Sequence, residues 1–270
     1  MRSKRAPPGE GVPEDFWDRV KDAAHRLLML DYDGTLAPFR VDRSRAGPLP
    51  GVADVLRRIR ESDSTRLAVV SGRPVSEVLE LLALEGVAMI GSHGYEVRDE
   101  SGRLTKHPLT AEEANQLTSS HEAARRAGWG ERLEKKAASV ALHTRGLAPA
   151  EARGAEEAVR TLWTERNSGG RFELRPFNGG LELRARGRHK GIAVRALLRT
   201  MPSGTLAVYV GDDETDEDAF RVLKGRGFGF RVGPAESPTA AQGRLADCQA
   251  VLAFLEQWER AATAPGGRRG

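Results

Sequence analysis

Cysteine is almost missing from this chain of 270 residues. The single Cys248 excludes an intrachain disulfide and any metal site built on cysteine pairs. No apolar run approaches the roughly 18 residues of a membrane-spanning helix, so a membrane is not an expected partner. The opening stretch, MRSKRAPPGEGVPEDF, is basic but has no apolar segment behind it. It does not read as a secretory signal, and a cytoplasmic location is the expectation. The pattern G-x-x-x-x-G-K-[ST] does not occur, which argues against a P-loop kinase. Charge of one sign is scarcely in excess, because 42 Lys+Arg face 38 Asp+Glu for a net +4. The cations, mostly arginine, are spread along the chain and not clustered, so no nucleic-acid partner is expected. Small anionic substrates stay open.

What is present suits a globular protein. Hydrophobic residues make up 39% and charged residues 30%, enough apolar material for a core. The length fits one large domain or two small ones. Residues 1–12 and 263–270 are rich in Pro, Gly and charge, and disorder is expected there. Between them, short apolar runs at 27–30, 67–70 and 87–90 alternate with helical spacing at 50–60 and 74–82. This alternation predicts an α/β fold with a doubly wound parallel sheet, whose ligands sit beyond the carboxyl ends of the strands. After about residue 106 the pattern changes. Helical stretches at 111–127 and 149–166 flank an alternating strand at 139–144. A hairpin signal, Asn178-Gly179-Gly180, joins strands at 172–175 and 181–184. These features predict a small antiparallel module with one wet face. The first pattern then resumes: a helix at 191–199, a strong strand at 206–210, a helix at 215–223, a strand at 227–232 and a last helix at 248–261. The expected organisation is a discontinuous Rossmann-like core, 13–104 and 185–262, with an inserted α/β cap at 105–184.

The chemistry collects where apolar strands end. Asp31-Tyr32-Asp33-Gly34-Thr35, Ser71-Gly72-Arg73 and Gly211-Asp212-Asp213-Glu214-Thr215-Asp216 each follow such a run. A parallel sheet would bring these tips together, and converging carboxylates repel strongly unless a cation joins them. Oxygen-only ligands favour Mg²⁺ over zinc. Such an ion suits phosphoryl transfer, in which a carboxylate can act as the nucleophile. Asp31 at the strand tip fits that role. Asp33 can serve as general acid and then as base. Ser71 and the amides of the Gly72-Arg73 loop can hold phosphate oxygens, and Lys190 can balance the remaining charge.

These residues resemble a known family. The runs MLDYDGTLAPF at 29–39, SGR at 71–73, HKG at 189–191 and GDDETDEDAF at 211–220 are similar to the four motifs of the haloacid dehalogenase superfamily of aspartyl-phosphate phosphatases. The wording DYDGTLAP together with GDD-x-TDEDAF resembles the trehalose-6-phosphate phosphatase family. The likeness covers about residues 26–260. It extends to Gly91-Ser92-His93-Gly94-Tyr95-Glu96 and Glu134-Lys135-Lys136, to His143-Thr144-Arg145 and to the strand Leu181-Glu182-Leu183. Two positions depart from the family pattern: Thr144 stands where Tyr is usual, and Ala185 where proline is common.

The resemblance implies Asp31 as nucleophile and Asp33 as acid/base. It implies Mg²⁺ held by the Asp31 carboxylate, the main-chain carbonyl of Asp33 and the Asp212 carboxylate, with Asp213 and Asp216 behind them. Thr35, Ser71, Gly72, Arg73 and Lys190 would bind phosphate. His93, Glu134, Lys136, His143, Arg145 and Glu182 would contact the sugar, and the cap would close over the core about joints near Gly102, Pro108 and Gly187. A sugar phosphate is the implied substrate, trehalose 6-phosphate first. Sucrose phosphate, a glucosyl- or mannosyl-phosphoglycerate, and a non-catalytic regulatory relative stay as alternatives. A functional link to a trehalose-6-phosphate synthase is also implied.

Overall fold

The computed structural model describes residues 11–167, 169–234 and 238–264. Most of both ends expected to be disordered, residues 1–10 and 265–270, lies outside the described residues. The strands are β1 (Arg26–Leu30), β2 (Arg66–Val70), β3 (Ala88–Gly91), β4 (Glu96–Arg98), β5 (Leu104–Lys106), β6 (Leu133–Lys135), β7 (Ser139–His143), β8 (Phe172–Phe177), β9 (Gly180–Ala185), β10 (Leu206–Gly211), β11 (Gly227–Val232) and β12 (Gly243–Leu245). The helices are α1 (Phe16–Asp22), α2 (Val52–Glu61), α3 (Val75–Leu82), α4 (Ala111–Ala124), α5 (Pro149–Arg166), α6 (Lys190–Arg199), α7 (Glu217–Leu223) and α8 (Cys248–Thr263).

Eight strands form one sheet in the order β12-β11-β10-β1-β2-β3-β4-β5. The pairs from β12 to β3 are parallel, and β4 and β5 add an antiparallel edge. Every residue of β1 is buried, because successive side chains leave by opposite faces and both faces are covered. Leu28 and Leu30 pack with Phe16, Val55, Val78 and Trp258, from helices α1, α2, α3 and α8. Leu27 and Met29 pack with Val194, Leu197 and Phe220 on the other side. The strand order reverses between β10-β1 and β1-β2, the position where doubly wound sheets open a crevice.

The second sheet is antiparallel, in the order β6-β7-β9-β8. Together with α4 and α5 it forms the cap. A reciprocal capping box of Thr110 and Glu113 starts α4, and Pro149 opens α5. Val140, Leu142, Leu181 and Leu183 pack on Leu117, Val159 and Trp163. Leu104–Lys106, at the expected boundary, pairs with the large sheet, and β9 runs one residue past Arg184.

One expectation is narrowed here. The polar face of the cap strands is only partly wet: Ala141, Glu182 and Arg184 are buried, while the side chain of Arg175, opposite Glu182 on the same face, is 42% exposed. The buried part of that face looks into the cleft above the large sheet, where Glu182 meets Lys136 and Ser139 and Arg184 meets Glu173. The first cap helix keeps to the expected span: after Ala124 it continues as a π-helical turn over Arg125–Trp129, and the first non-helical residue is Gly128 at φ +95°.

Candidate active site

Four segments deliver the charged groups. Asp31 continues the β1 ladder by one bond, its N–H donating to the Val210 carbonyl at 2.9 Å. The turn after Asp33 passes through Gly34 at φ +74°, where a Cβ would collide with the Asp212 carboxylate. Glycine is therefore needed both for the turn and for the approach of the two acidic tips. Lys190 is the first residue of α6 and is 2% exposed.

The carboxylate oxygens of Asp31, Asp212 and Asp216 lie within 4.8 Å of one another. Lys190 Nζ reaches Asp31 Oδ1 at 2.8 Å and Asp216 Oδ1 at 2.6 Å. Tyr209 Oη donates to the same Asp216 oxygen at 2.5 Å, and the Asp213 amide donates to Asp216 Oδ2 at 2.9 Å. Burial, then repulsion from Asp216, pushes the Asp31 carboxyl up to about 7. Burial and the neighbouring acids push Asp212 well above the usual range. For Lys190, burial works against the charge, but Asp216 and Asp31 outweigh it and hold the ammonium charged.

Three carboxylates against one ammonium leave two negative charges, the complement of one divalent cation. Asp212 Oδ1 is buried with no hydrogen-bond partner. All the donors are hard oxygens. The residues therefore fit a metal ion. The third carboxylate of the cluster is that of Asp216, whereas the Asp33 carboxylate is turned elsewhere.

Asp33 faces Arg73, which donates to both its oxygens at 2.6 and 2.7 Å. Arg73 also reaches the Arg43 carbonyl at 2.9 Å. The arginine placed among the phosphate ligands by the sequence is thus engaged with the candidate acid/base in a forked pair. Ser71 is held by its neighbours: its N–H donates to the Ile90 carbonyl at 2.8 Å and its hydroxyl accepts from the Arg73 amide at 3.1 Å. Thr35 Oγ1 is fully buried with no hydrogen-bond partner.

The cap supplies the roof. Glu182 on β9 accepts from Ser139 Oγ at 2.7 Å, Lys136 Nζ at 3.0 Å and His93 Nε2 at 3.0 Å. Burial opposes its charge, but Lys136 and His93 hold the carboxyl well below the usual range. Glu134 meets His143 Nε2 at 2.8 Å, and its own Oε1 is buried without a partner. Burial lowers His93 and His143 to about 4, so both rings are neutral. His93 sits on the core, yet it touches both parts. Its N–H donates to the Ser71 carbonyl at 3.1 Å. Its ring lies where a Cβ on Gly72 would stand. Ser92 and His93 both adopt positive φ, 48° and 57°, strain that a fixed site can hold.

One cavity of about 450 Å³ joins floor and roof. All the sequence-predicted site residues border it except Thr35 and Asp216, which are wholly buried behind it. Lys136 lies just past β6 and not on a strand. Arg145 stacks its guanidinium over the Phe39 ring, 4.4 Å from the centroid. The two departures from the family pattern stay outside the cavity lining. Thr144 donates to Glu156 on α5 at 2.8 Å. The Ala185 N–H donates to the Ala138 carbonyl at 2.9 Å, a bond proline could not make. Sequence reasoning missed Phe39, Val41 and Arg43, which follow the first acidic tip and border the same cavity. No spacing marks them, because they lie in a loop that meets the cap only in the folded chain.

The family model described as trehalose-phosphatase matches residues 29–248. A trehalose 6-phosphate phosphatase from Zea mays is 30% identical over 257 residues, covering 86% of this chain and 69% of that protein. A probable trehalose-phosphate phosphatase from Sinorhizobium fredii is 30% identical over 245 residues, covering 90% and 91%. In three dimensions, the C-terminal domain of the C. albicans trehalose-6-phosphate phosphatase superposes with a TM-score of 0.82 at 20% identity, covering 94% of this chain and 99% of that one. With its haloacid dehalogenase-type fold and acidic cluster, this chain belongs to the trehalose-phosphatase family and is a phosphatase.

Proposed function

We propose that the protein hydrolyses trehalose 6-phosphate to trehalose and phosphate with Mg²⁺ as cofactor. The observation that carries the reading is the meeting of Asp31, Asp212, Asp216 and Lys190 below a cavity roofed by Glu134, Lys136 and Glu182. In this reading Mg²⁺ is held by Asp31, the Asp33 carbonyl and Asp212, with Asp216 and Asp213 behind them. Once bound, it neutralises the phosphate so that an anionic nucleophile can approach.

The chain's own residues do the rest. An Asp31 oxygen attacks phosphorus, and the bond from phosphorus to the sugar oxygen breaks. Asp33 gives its proton to that leaving oxygen. Asp33 then takes a proton from water, which attacks the aspartyl-phosphate and releases phosphate. Arg73 positions Asp33 between the two steps. Lys190 keeps Asp31 oriented, while Thr35, Ser71 and the Gly72-Arg73 amides receive the phosphate oxygens. Sugar hydroxyls meet Glu134, Lys136, His143 and Glu182, with His93 and Arg145 at the rim. Residues 105–184 act as a lid over residues 13–104 and 185–262, and closure excludes water from the aspartyl-phosphate.

Phosphate release over a panel of sugar phosphates tests the reading. Trehalose 6-phosphate is expected to be turned over well ahead of sucrose phosphate and of glucosyl- and mannosyl-phosphoglycerate. Comparable turnover across that panel would remove the trehalose assignment.

A further inference from the structure

Three of the ties between core and cap border the cavity. His93 to Glu182 and Arg145 to Phe39 each use a residue from a sequence motif. The third, Arg43, belongs to none. Its backbone is fixed on both sides. Asp42 caps the short 3₁₀ turn Arg43–Arg45, accepting from Ser44 N at 3.1 Å. Buried Tyr32 donates its hydroxyl to the Ala46 carbonyl at 2.9 Å. From this platform the Arg43 fork opens both ways. One nitrogen pairs with Glu77 Oε2 on α3 at 2.7 Å. The other pairs with Glu134 Oε2 on β6 of the cap. Glu77 in turn lies 3.4 Å from Arg73, the partner of Asp33. An unbroken run of charges therefore leads from Asp33 through Arg73, Glu77 and Arg43 to Glu134.

We propose that Arg43 is a positioning residue for substrate recognition: it latches the closed cap to the core and presents Glu134 to a sugar hydroxyl. The assignment rests on the sugar-phosphate reading above. Glu134 has two oxygens with different fates. Oε2 is occupied by Arg43 and His143. Oε1 is buried and partnerless beside the cavity. Fixing the first aims the second, so a hydroxyl finds an acceptor already oriented and charged. A planar two-pronged cation suits this task. A lysine would hold one carboxylate at a time.

The test compares Arg43→Met and Arg43→Lys with the wild-type protein, on trehalose 6-phosphate and on 4-nitrophenyl phosphate, which has no sugar to recognise. For Arg43→Met, KM for trehalose 6-phosphate is expected to rise about tenfold with a smaller change in kcat, as for loss of one partly desolvated charged hydrogen bond. Turnover of 4-nitrophenyl phosphate is expected to stay within about twofold, because the reacting groups are untouched. Arg43→Lys should recover part of the loss. An equal loss on both substrates, or none on either, overturns the proposal.

A second measurement needs no substrate. Spin labels on exposed positions of core and cap, Glu80→Cys and Glu157→Cys, report the distance between them, and Cys248 is buried. Arg43→Met should broaden that distance distribution in the absence of ligand, and an unchanged distribution also overturns the latch. If wild type ignores trehalose 6-phosphate, the function reading fails and the distance measurement alone decides Arg43.

Discussion

Floor and roof of the cavity handle charge in opposite ways. On the floor, three carboxylates face one lysine, and burial pushes Asp31 and Asp212 upward. On the roof, Glu182 is flanked by Lys136, His93 and Ser139 and is held ionised, and Glu134 pairs through one of its oxygens. The floor stores a charge deficit, and the roof stores none. A deficit calls for a cation and an anionic group to be transformed, whereas a balanced set of donors and acceptors suits neutral hydroxyls. Two sites of similar composition thus carry different chemistry because their charges are completed differently.

Four experiments sharpen or break that contrast. Asp31→Asn removes the proposed nucleophile on the floor, and the rate should fall by at least about a thousandfold on sugar and aryl phosphates alike. Residual activity near wild type would take Asp31 out of the mechanism. Trp163→Ala strikes the roof's own core. Trp163 is fully buried, with its indole N–H on the Ser120 carbonyl at 3.1 Å. Chemical denaturation should register a loss of about 3–5 kcal/mol, while metal binding measured by calorimetry below the transition stays intact.

Glu182→Gln keeps shape and removes charge. KM for trehalose 6-phosphate should rise about ten- to a hundredfold with aryl phosphate turnover retained. A uniform loss on both substrates would mean that roof and floor are not separable.

The smallest effect is the pH response, and its sign differs between the two regions. The folded Asp31 carboxyl, at about 7 against an ordinary 3.8, favours the metal-free fold below pH 3.8, and this support is lost as pH rises through 7. His93 and His143, at about 4 against 6.5, do the reverse: their support is full above pH 6.5 and lost as pH falls through 4. Between pH 4 and 6.5 the two trends oppose. Added Mg²⁺ should cancel the first and leave stability rising with pH across that window. Mg²⁺ affinity itself should drop by up to about tenfold per unit below pH 7, since a proton competes for Asp31. Thermal melts with and without Mg²⁺ across this range measure both trends, and identical slopes would break the assignment of the ion to Asp31.

The floor was largely legible in the sequence. Leu27 to Leu30, Leu67 to Val70 and Leu206 to Val210 read as buried strands because both their faces are apolar, and the acidic tips follow at once. The three-residue strands β4, β5, β6 and β12 left no such mark, and neither did α1. Each is too short for a period to emerge, and neighbouring strands decide the pairing. The wet face expected of the cap strands held only in part, since Glu182 and Arg184 are buried and Arg175 is not, because polarity in sequence does not distinguish water from a cleft lined with partners. Arg73 carried a motif, but its forked grip on Asp33 depends on a turn 40 residues away. Arg43 carried nothing readable, since its two acids come from separate elements, α3 and β6.

The joint between β9 and α6 has a practical consequence. Ala185 ends the roof strand and Lys190 opens the helix, with residues 186–189 alone between them. Gly187 in that joint has φ +102° and open space where a Cβ would stand. Anyone transplanting a foreign lid onto this scaffold to change its specificity would be splicing close to the Lys190 ammonium that pairs with Asp31. The graft should carry the native joint unaltered, with recombination points placed on the strand side of Arg186.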